Sequence, residues 1–126
     1  MSFDWRHYLT LAEQMQAHAG EYPNDEACYR TVVSRAYYAV YCLVRNYIAN
    51  VDSRTFYSDD HQAIQSYLLR HPHRPRKRLG NQLRLLRQHR NKADYDNEID
   101  ELPINKARRA IVQAQRIMGT LDEIFR

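Results

Sequence analysis

The chain has 126 residues, which favours one domain large enough to bury an apolar core without disulfides or metals. Hydrophobic residues form 44% of it, a share that excludes a disordered chain. Three glycines and four prolines are too few for the turns of a many-stranded sheet, so the composition predicts an all-α fold. The sequence shows neither an apolar signal sequence nor a run of membrane-spanning length, so we expect a cytoplasmic protein without a membrane partner.

Apolar residues at spacings of three and four predict the helices. Their expected bounds are about 4–21, 24–50, 60–70, 76–91 and 103–124, separated by a loop at 51–60 and an irregular segment at 94–102. Asn24 or Asp25 could cap the second helix and Asp59 or Asp60 the third, and Pro103 is placed to begin the last. The pattern predicts a single domain over 1–126, an antiparallel bundle of four or five helices.

The formal net charge of +4 is distributed unevenly. The basic stretch, residues 61–93, has seven arginines, two lysines and no acid, whereas the acidic segment, residues 94–101, has five acids. Two explanations stay open. The basic stretch marks an anion-binding surface, or the two segments neutralise each other within the fold or across a dimer.

Two short segments contain more functional groups than packing requires. In Ser34-Arg-Ala-Tyr-Tyr-Ala39, Arg35 and Tyr38 lie three residues apart on the long helix, where a cation beside two phenols could hold a phosphate or stack a base. Alternatively, Arg35 pairs with an acid and the tyrosines fill the bundle. In Arg90-Asn-Lys-Ala-Asp-Tyr95, Arg90 could bind a phosphate, and Asp94 could orient it, accept a ribose hydroxyl, or form a simple ion pair one turn away.

The Ser34–Ala39 motif on a long helix, His61 at the start of the next, and Arg90-x-x-Ala-Asp-Tyr95 together resemble the HEPN superfamily. The similarity is greatest to its small stand-alone prokaryotic proteins and covers about residues 24–124. This resemblance implies a helical bundle that pairs as a homodimer, with the motif helices lining a shared cleft. It also implies a metal-independent RNase toxin or defence effector, partnered with a nucleotidyltransferase antitoxin that can modify a motif tyrosine, here Tyr95.

The family pattern ends in a histidine, where this chain has Asp94 or Tyr95. A carboxyl group does not titrate near neutral pH as an imidazole does, so standard acid–base catalysis is not expected. We therefore predict RNA or nucleotide binding in a dimer cleft, with RNA cleavage as a possible activity and a non-catalytic adaptor as the alternative. The predicted catalytic residues are Arg90, Asp94 and Tyr95, and the predicted binding residues are Arg35, Tyr38, Arg87 and Asn91.

Other groups receive simpler interpretations. Cys28 and Cys42 are expected to be reduced core residues. His71 and His73 lack a third ligand, so no metal or other cofactor is predicted. His61 is expected to be a cap or a core contact. The basic run at 74–78 could contact RNA phosphates or lie in a solvated loop.

Overall fold

The computed structural model describes residues 2–125, with the backbone alone for residue 125. Its α-helices are α1 Arg6–Ala17, α2 Asp25–Asp52, α3 His61–Leu69, α4 Arg74–Tyr95 and α5 Pro103–Phe125, with a 3-10 turn at Ala19–Glu21. The described residues contain no strand, so the predicted all-α class is confirmed. The first and last positions of the predicted 1–126 domain lie outside the described residues.

Helix α2 is the central element and packs against α1, α4 and α5. It begins where predicted, because Asn24 caps it by accepting a 2.9 Å hydrogen bond from the amide of Ala27. Ala36 and Ala39 are fully buried, and their small side chains allow neighbouring helices to approach closely. Its buried face also contains larger apolar or aromatic side chains, including Val32, Val33, Tyr37, Val40, Tyr41, Val44 and Ile48.

Helices α3 and α4 pack at close range across a short turn. A Cβ added at Gly80 of α4 would lie only 2.9 Å from the Cβ of Leu68 in α3, so glycine sets the separation of the two helices. Helix α4 begins at Arg74, two residues before the predicted start. Pro75 lies in its first turn, where a proline without an N–H fits.

Four other predicted helix boundaries are wrong by a few residues. Asp94 and Tyr95 were expected in an irregular segment, but they form the last residues of α4. Helix α2 continues to Asp52, whose carboxylate is held by Arg76 and by a 2.6 Å hydrogen bond from the hydroxyl of Tyr67. Helix α1 is shorter than expected, at Arg6–Ala17.

The cysteine prediction and the cap of α3 have different outcomes. Cys28 and Cys42 are free and buried, as predicted. Asp60 precedes α3 but forms no side-chain cap; its carboxylate instead accepts a 2.8 Å hydrogen bond from the amide of Tyr57. None of the described helices combines the length and the apolar character that a membrane span requires.

Candidate functional site

Arg90 is a buried cation whose side chain makes no hydrogen bond to the described residues. It lies in the last turns of α4 and is 5% exposed, with its Cζ 5.1 Å from the ring centroid of Tyr37 and 5.3 Å from that of Tyr38. The nearest carboxylate oxygen, Oδ2 of Asp94, is 3.6 Å from Nη1, beyond normal hydrogen-bond length. Among the described residues no group accepts a hydrogen bond from Arg90, and its Nε is buried. Aromatic rings and one carboxylate therefore hold the charge while its donors stay open.

Asp94 joins the two sequence motifs. Its Oδ2 accepts a 3.3 Å hydrogen bond from the hydroxyl of Ser34, which lies 60 residues earlier at the start of the first motif. The same oxygen faces Arg90, and the side chain keeps a quarter of its surface exposed. The structure therefore brings the motif of α2 and the motif of α4 together.

Tyr38 connects Arg90 to a second arginine. The Cζ of Arg35 lies 5.4 Å from the ring centroid of Tyr38 and 5.0 Å from that of Tyr8. Arg35 has no ion pair among the described residues, so the acid partner considered from the sequence is not found there. Tyr37 does fill the bundle, being fully buried. Beside Arg35 lies a cavity of about 260 Å³, lined by Trp5, Tyr8, Arg35, Tyr38, Cys42 and Arg45 among others.

The remaining predicted site residues surround this centre at different depths. The Nη1 of Arg87 donates to Oε1 of Gln65 at 3.2 Å, while its Nε is buried without a partner in the described chain. Asn91 is half-buried beside Arg90 in sequence. Tyr95 is 73% exposed, and its ring centroid is 6.0 Å from the Cζ of Arg90. Arg87, Arg90 and Asp94 thus form the inner part of the site, and Tyr95 lies at its edge.

Sequence reasoning missed the pair formed by Tyr37 and His61. The phenol oxygen of Tyr37 lies 2.5 Å from Nδ1 of His61, and the ring of Tyr41 stacks on the imidazole with centroids 4.2 Å apart. Burial, reinforced by the charges of Arg90 and Arg87, lowers the pKa of His61 to about 4. The imidazole is therefore neutral at neutral pH. It also satisfies the expectation of a core contact for His61.

Burial also raises the pKa of the two tyrosines that contact His61, namely Tyr37 and Tyr41. It raises the pKa of Tyr37 well above its usual value, and it raises the pKa of Tyr41 to about 12. Both phenols therefore keep their protons at neutral pH. No sequence spacing relates Tyr37 to His61, and the one available signal was that His61 begins the helix after the tyrosine-rich motif.

A second missed residue, Arg30, holds the end of α4. Its guanidinium donates to the backbone oxygens of Ala93, Asp96 and Asn97 at 3.1, 2.6 and 3.3 Å, and to the carboxylate of Glu26 at 2.9 Å. Carbonyl groups at a helix C-terminus lack partners within the helix, and a cation there is favourable. Arg30 explains why α4 continues through the site instead of ending before it.

The acidic segment is used mainly elsewhere. Asp100 pairs with Lys106 at 3.3 Å and Glu101 with Arg109 at 2.8 Å, so these acids neutralise α5. Within the basic stretch, three cations form ion pairs, namely Arg76 with Asp52, Arg78 with Glu123 and Arg90 with Asp94. The described contacts leave the other cations there without a carboxylate within 4 Å: Arg70, Arg74, Lys77, Arg84, Arg87 and Lys92. Among the described residues, Arg90 is thus the one cation of the basic stretch that forms a direct ion pair with the acidic segment.

The described residues contain no group of three or more His, Cys, Asp or Glu side chains that could hold a metal ion. His71 and His73 lie near each other, but the Nδ1 of His71 accepts a 3.1 Å hydrogen bond from the amide of His73. The basic run 74–78 is the first turn of α4, not the solvated loop considered above.

The chain was compared with protein-family models, curated proteins and solved structures, and no match was found in any of the three.

Proposed function

We propose that this chain is a HEPN-like protein that pairs as a homodimer and binds RNA or a nucleotide in the cleft between the two copies. Arg90 is the central phosphate-binding residue, assisted by Arg87. Tyr38 and Tyr95 stack bases, and Arg35 and Asn91 contact the backbone or ribose. Exposed Leu85 and Tyr95 on α4 offer apolar surface for pairing.

The observation that carries this proposal is the open hydrogen-bonding capacity of buried Arg90. A guanidinium has five N–H donors in a planar fork, and a buried charge that lacks hydrogen bonds is unfavourable by several kcal/mol, about 3 to 5 when a partner is removed. A phosphate oxygen would satisfy these donors with the strong geometry that arginine favours. Asp94 cannot do so in the present geometry, since Ser34 holds its oxygen 3.6 Å from the cation.

The aromatic groups around the cations favour nucleic acid over a simple anion. Tyr38 contacts both Arg35 and Arg90, and a cavity lined by aromatic rings lies beside Arg35. Bases stack on such rings with little sequence preference, while arginines follow the phosphates. The unpaired cations of the basic stretch would add attraction that weakens as salt rises.

Binding is better supported than cleavage. Cleavage of RNA by its own 2′-hydroxyl needs a proton acceptor and donor near neutral pH. The imidazole of the site, His61, is buried against Tyr37 and Tyr41 with a pKa of about 4, and it is far from that range in the free protein. This arrangement favours the second candidate function over catalysis. In that function the chain is a non-catalytic adaptor that engages a nucleotidyltransferase or another protein through the exposed Tyr95 end.

The test measures binding and cleavage on the same samples. Purified protein is mixed with labelled single-stranded RNA in EDTA, and mobility shift and strand breaks are recorded for wild type, Arg90→Met and Asp94→Ala. Arg108→Met is the matched control, because Arg108 is exposed on α5 and has no ion pair in the described chain. We expect the wild type to bind RNA without cleaving it. Binding should be lost in Arg90→Met and kept in Arg108→Met. Equal binding by Arg90→Met and Arg108→Met would refute the site.

The adaptor candidate is separated by affinity purification from the native host. A stoichiometric protein partner that survives nuclease treatment supports it, and a Tyr95→Ala variant should lose that partner. Recovery of nucleic acid alone counts against it. Dimerisation is measured independently by light scattering of the wild-type chain, where a monomer at all concentrations would remove the shared cleft.

A further inference from the structure

A second cavity, separate from the residues around Arg90, lies where the segment after α2 meets the α3–α4 turn. Its volume is about 490 Å³, within the size range of pockets that bind small ligands. Its lining consists of Arg54, Ser66, Tyr67, Arg70, His71 and Pro72, with Ala63. None of these residues belongs to the site proposed above.

Among the described residues, no carboxylate pairs with the two arginines of this cavity. Arg54 is held by rings, with its Cζ 5.1 Å from the centroid of Phe56 and 5.2 Å from that of Tyr67. Neither Arg54 nor Arg70 has a carboxylate within 4 Å among the described residues. Two guanidinium groups therefore face one cavity with open donors.

The nearest acid is already occupied. Asp52 receives the guanidinium of Arg76 and a 2.6 Å hydrogen bond from the hydroxyl of Tyr67. Arg76 is buried, and its hydrogen bond keeps the pKa of Asp52 below its usual value. Asp52 thus neutralises Arg76, and the positive charges of Arg54 and Arg70 remain at the cavity.

The uncharged residues of the lining add hydrogen-bonding groups and flat apolar surface to the two arginines. Ser66 supplies a hydroxyl that can donate or accept, and His71 accepts at Nδ1 from a backbone amide, so its neutral ring carries a proton on Nε2. Tyr67 and Pro72 supply flat apolar surface. Guanidinium groups and hydroxyls bind phosphate oxygens, while flat apolar walls bind an aromatic ring.

We propose that this cavity binds a phosphate group carried by a nucleotide, either as a free mononucleotide or as the 5′-terminal residue of an RNA strand. Arg54 and Arg70 take the phosphate, with Ser66 and the Nε2–H of His71 as further donors. The base lies against Tyr67 and Pro72. The proposal stands independently of the function proposed for Arg90.

The experiment titrates the full chain into AMP carrying a fluorescent methylanthraniloyl group on the ribose and records fluorescence anisotropy. The variants are Arg54→Gln/Arg70→Gln and a control, Arg108→Gln, each made in an Arg90→Met background, which removes the phosphate-binding residue proposed above, and each checked for wild-type helicity by circular dichroism. We expect the double variant to bind about tenfold or more weakly, since it loses two charge-assisted contacts. Arg108→Gln should bind as the Arg90→Met chain without further changes does.

Competition then identifies the source of the phosphate. Unlabelled AMP, inorganic phosphate, and one RNA hexamer with either a 5′-phosphate or a 5′-hydroxyl are added in turn. Stronger competition by AMP indicates a free nucleotide, and stronger competition by the 5′-phosphorylated hexamer indicates an RNA end. Absence of saturable binding by the Arg90→Met chain, or binding unchanged when Arg54 and Arg70 are also replaced, would overturn the proposal.

Discussion

The hydroxyl of Tyr37 and the imidazole of His61 share a 2.5 Å hydrogen bond inside the bundle, between helices α2 and α3. Tyr41 stacks on the same imidazole, and Arg90 covers the ring of Tyr37. A histidine in this position is buried next to two arginines, whose charges disfavour its protonation. The protonation of a buried core residue, His61, therefore depends on the charges of Arg90 and Arg87 in the candidate site.

We expect this pair to make stability depend on pH in mildly acidic solution. The pKa of His61 is lowered from 6.5 to about 4, so between these values the unfolded state binds more protons than the folded state. The contribution of His61 to the free energy of unfolding is therefore fully present above about pH 6.5 and is lost as the pH falls toward 4. The loss amounts to about 2 kcal/mol between about pH 7 and pH 5. Urea denaturation at the two pH values measures this loss.

The control for the pH prediction is His61→Gln. The amide oxygen of glutamine can still accept a hydrogen bond from Tyr37, but it does not titrate. The variant should be less sensitive to acid over the same range. If wild type and variant lose the same free energy of unfolding, the loss arises from other groups.

Replacing Arg90 with methionine should separate binding from stability. RNA affinity is expected to fall by about ten- to a hundredfold, as when charge-assisted hydrogen bonds are removed. The free energy of unfolding should stay within about 1 kcal/mol of wild type or rise, because methionine replaces a buried charge whose Nε has no hydrogen-bond partner among the described residues, and this gain offsets the loss of the ion pair with Asp94. The measurements are RNA titration at several salt concentrations and urea denaturation. A variant that unfolds easily but binds normally would contradict both expectations.

Two helical glycines should respond to alanine in opposite directions. Gly80→Ala places a Cβ 2.9 Å from Leu68 and 3.2 Å from the backbone nitrogen of Leu69, so we expect a loss of about 1 to 3 kcal/mol despite the better helix propensity. Gly119→Ala meets nothing within 4 Å and should gain up to about 1 kcal/mol. Thermal unfolding of the two variants compares them directly, and a shift in the same direction would contradict the close packing of α3 on α4.

Arg30 should act on the site through the end of α4. Arg30→Gln removes hydrogen bonds to the carbonyls of Ala93, Asp96 and Asn97, and we expect a loss of about 1 to 3 kcal/mol. Amide exchange at residues 94–97 should accelerate, including the amide of Asp96, which donates to Lys92. RNA binding should weaken although Arg30 need not contact RNA.

The control for Arg30 is Glu26→Gln. This change breaks the exposed ion pair of Arg30 and leaves its bonds to the carbonyls in place. Hydrogen exchange followed by mass spectrometry should show wild-type protection at 94–97, with a stability change below about 1 kcal/mol. Faster exchange in Glu26→Gln but not in Arg30→Gln would show that the hydrogen bonds from Arg30 to the backbone carbonyls do not hold the end of α4.

Local signals predicted most of the fold, because they depend on neighbours in sequence. The cap at Asn24 and the helix start at Pro103 follow from side chains within a few residues, and both are confirmed. The end of α4 does not follow from local signals. Asp94 and Tyr95 begin the acidic segment, which the sequence predicts to be irregular. In the structure they are helical, and Arg30, more than 60 residues away, binds the carbonyl oxygen of Ala93 beside them.

The sequence could predict that residues of the two motifs lie together, but not how deeply each is buried. The short motifs selected Arg35, Tyr38, Arg90 and Asp94, and the structure brings them together through Ser34 and Tyr38. Sequence could not reveal that His61 lies against Tyr37, since this depends on how α3 packs on α2. It also could not show that Arg90 is buried, because charged residues usually lie outside.

The placement of Trp5 gives the protein an optical reporter. It is the single tryptophan of the chain, it lines the cavity beside Arg35 and Tyr38, and its ring meets that of Tyr8 edge-on with centroids 5.3 Å apart. Any molecule entering that cavity changes the surroundings of one indole and of no other. Emission excited in the indole band can therefore follow occupancy in real time, without labels and with no competing signal from a second tryptophan.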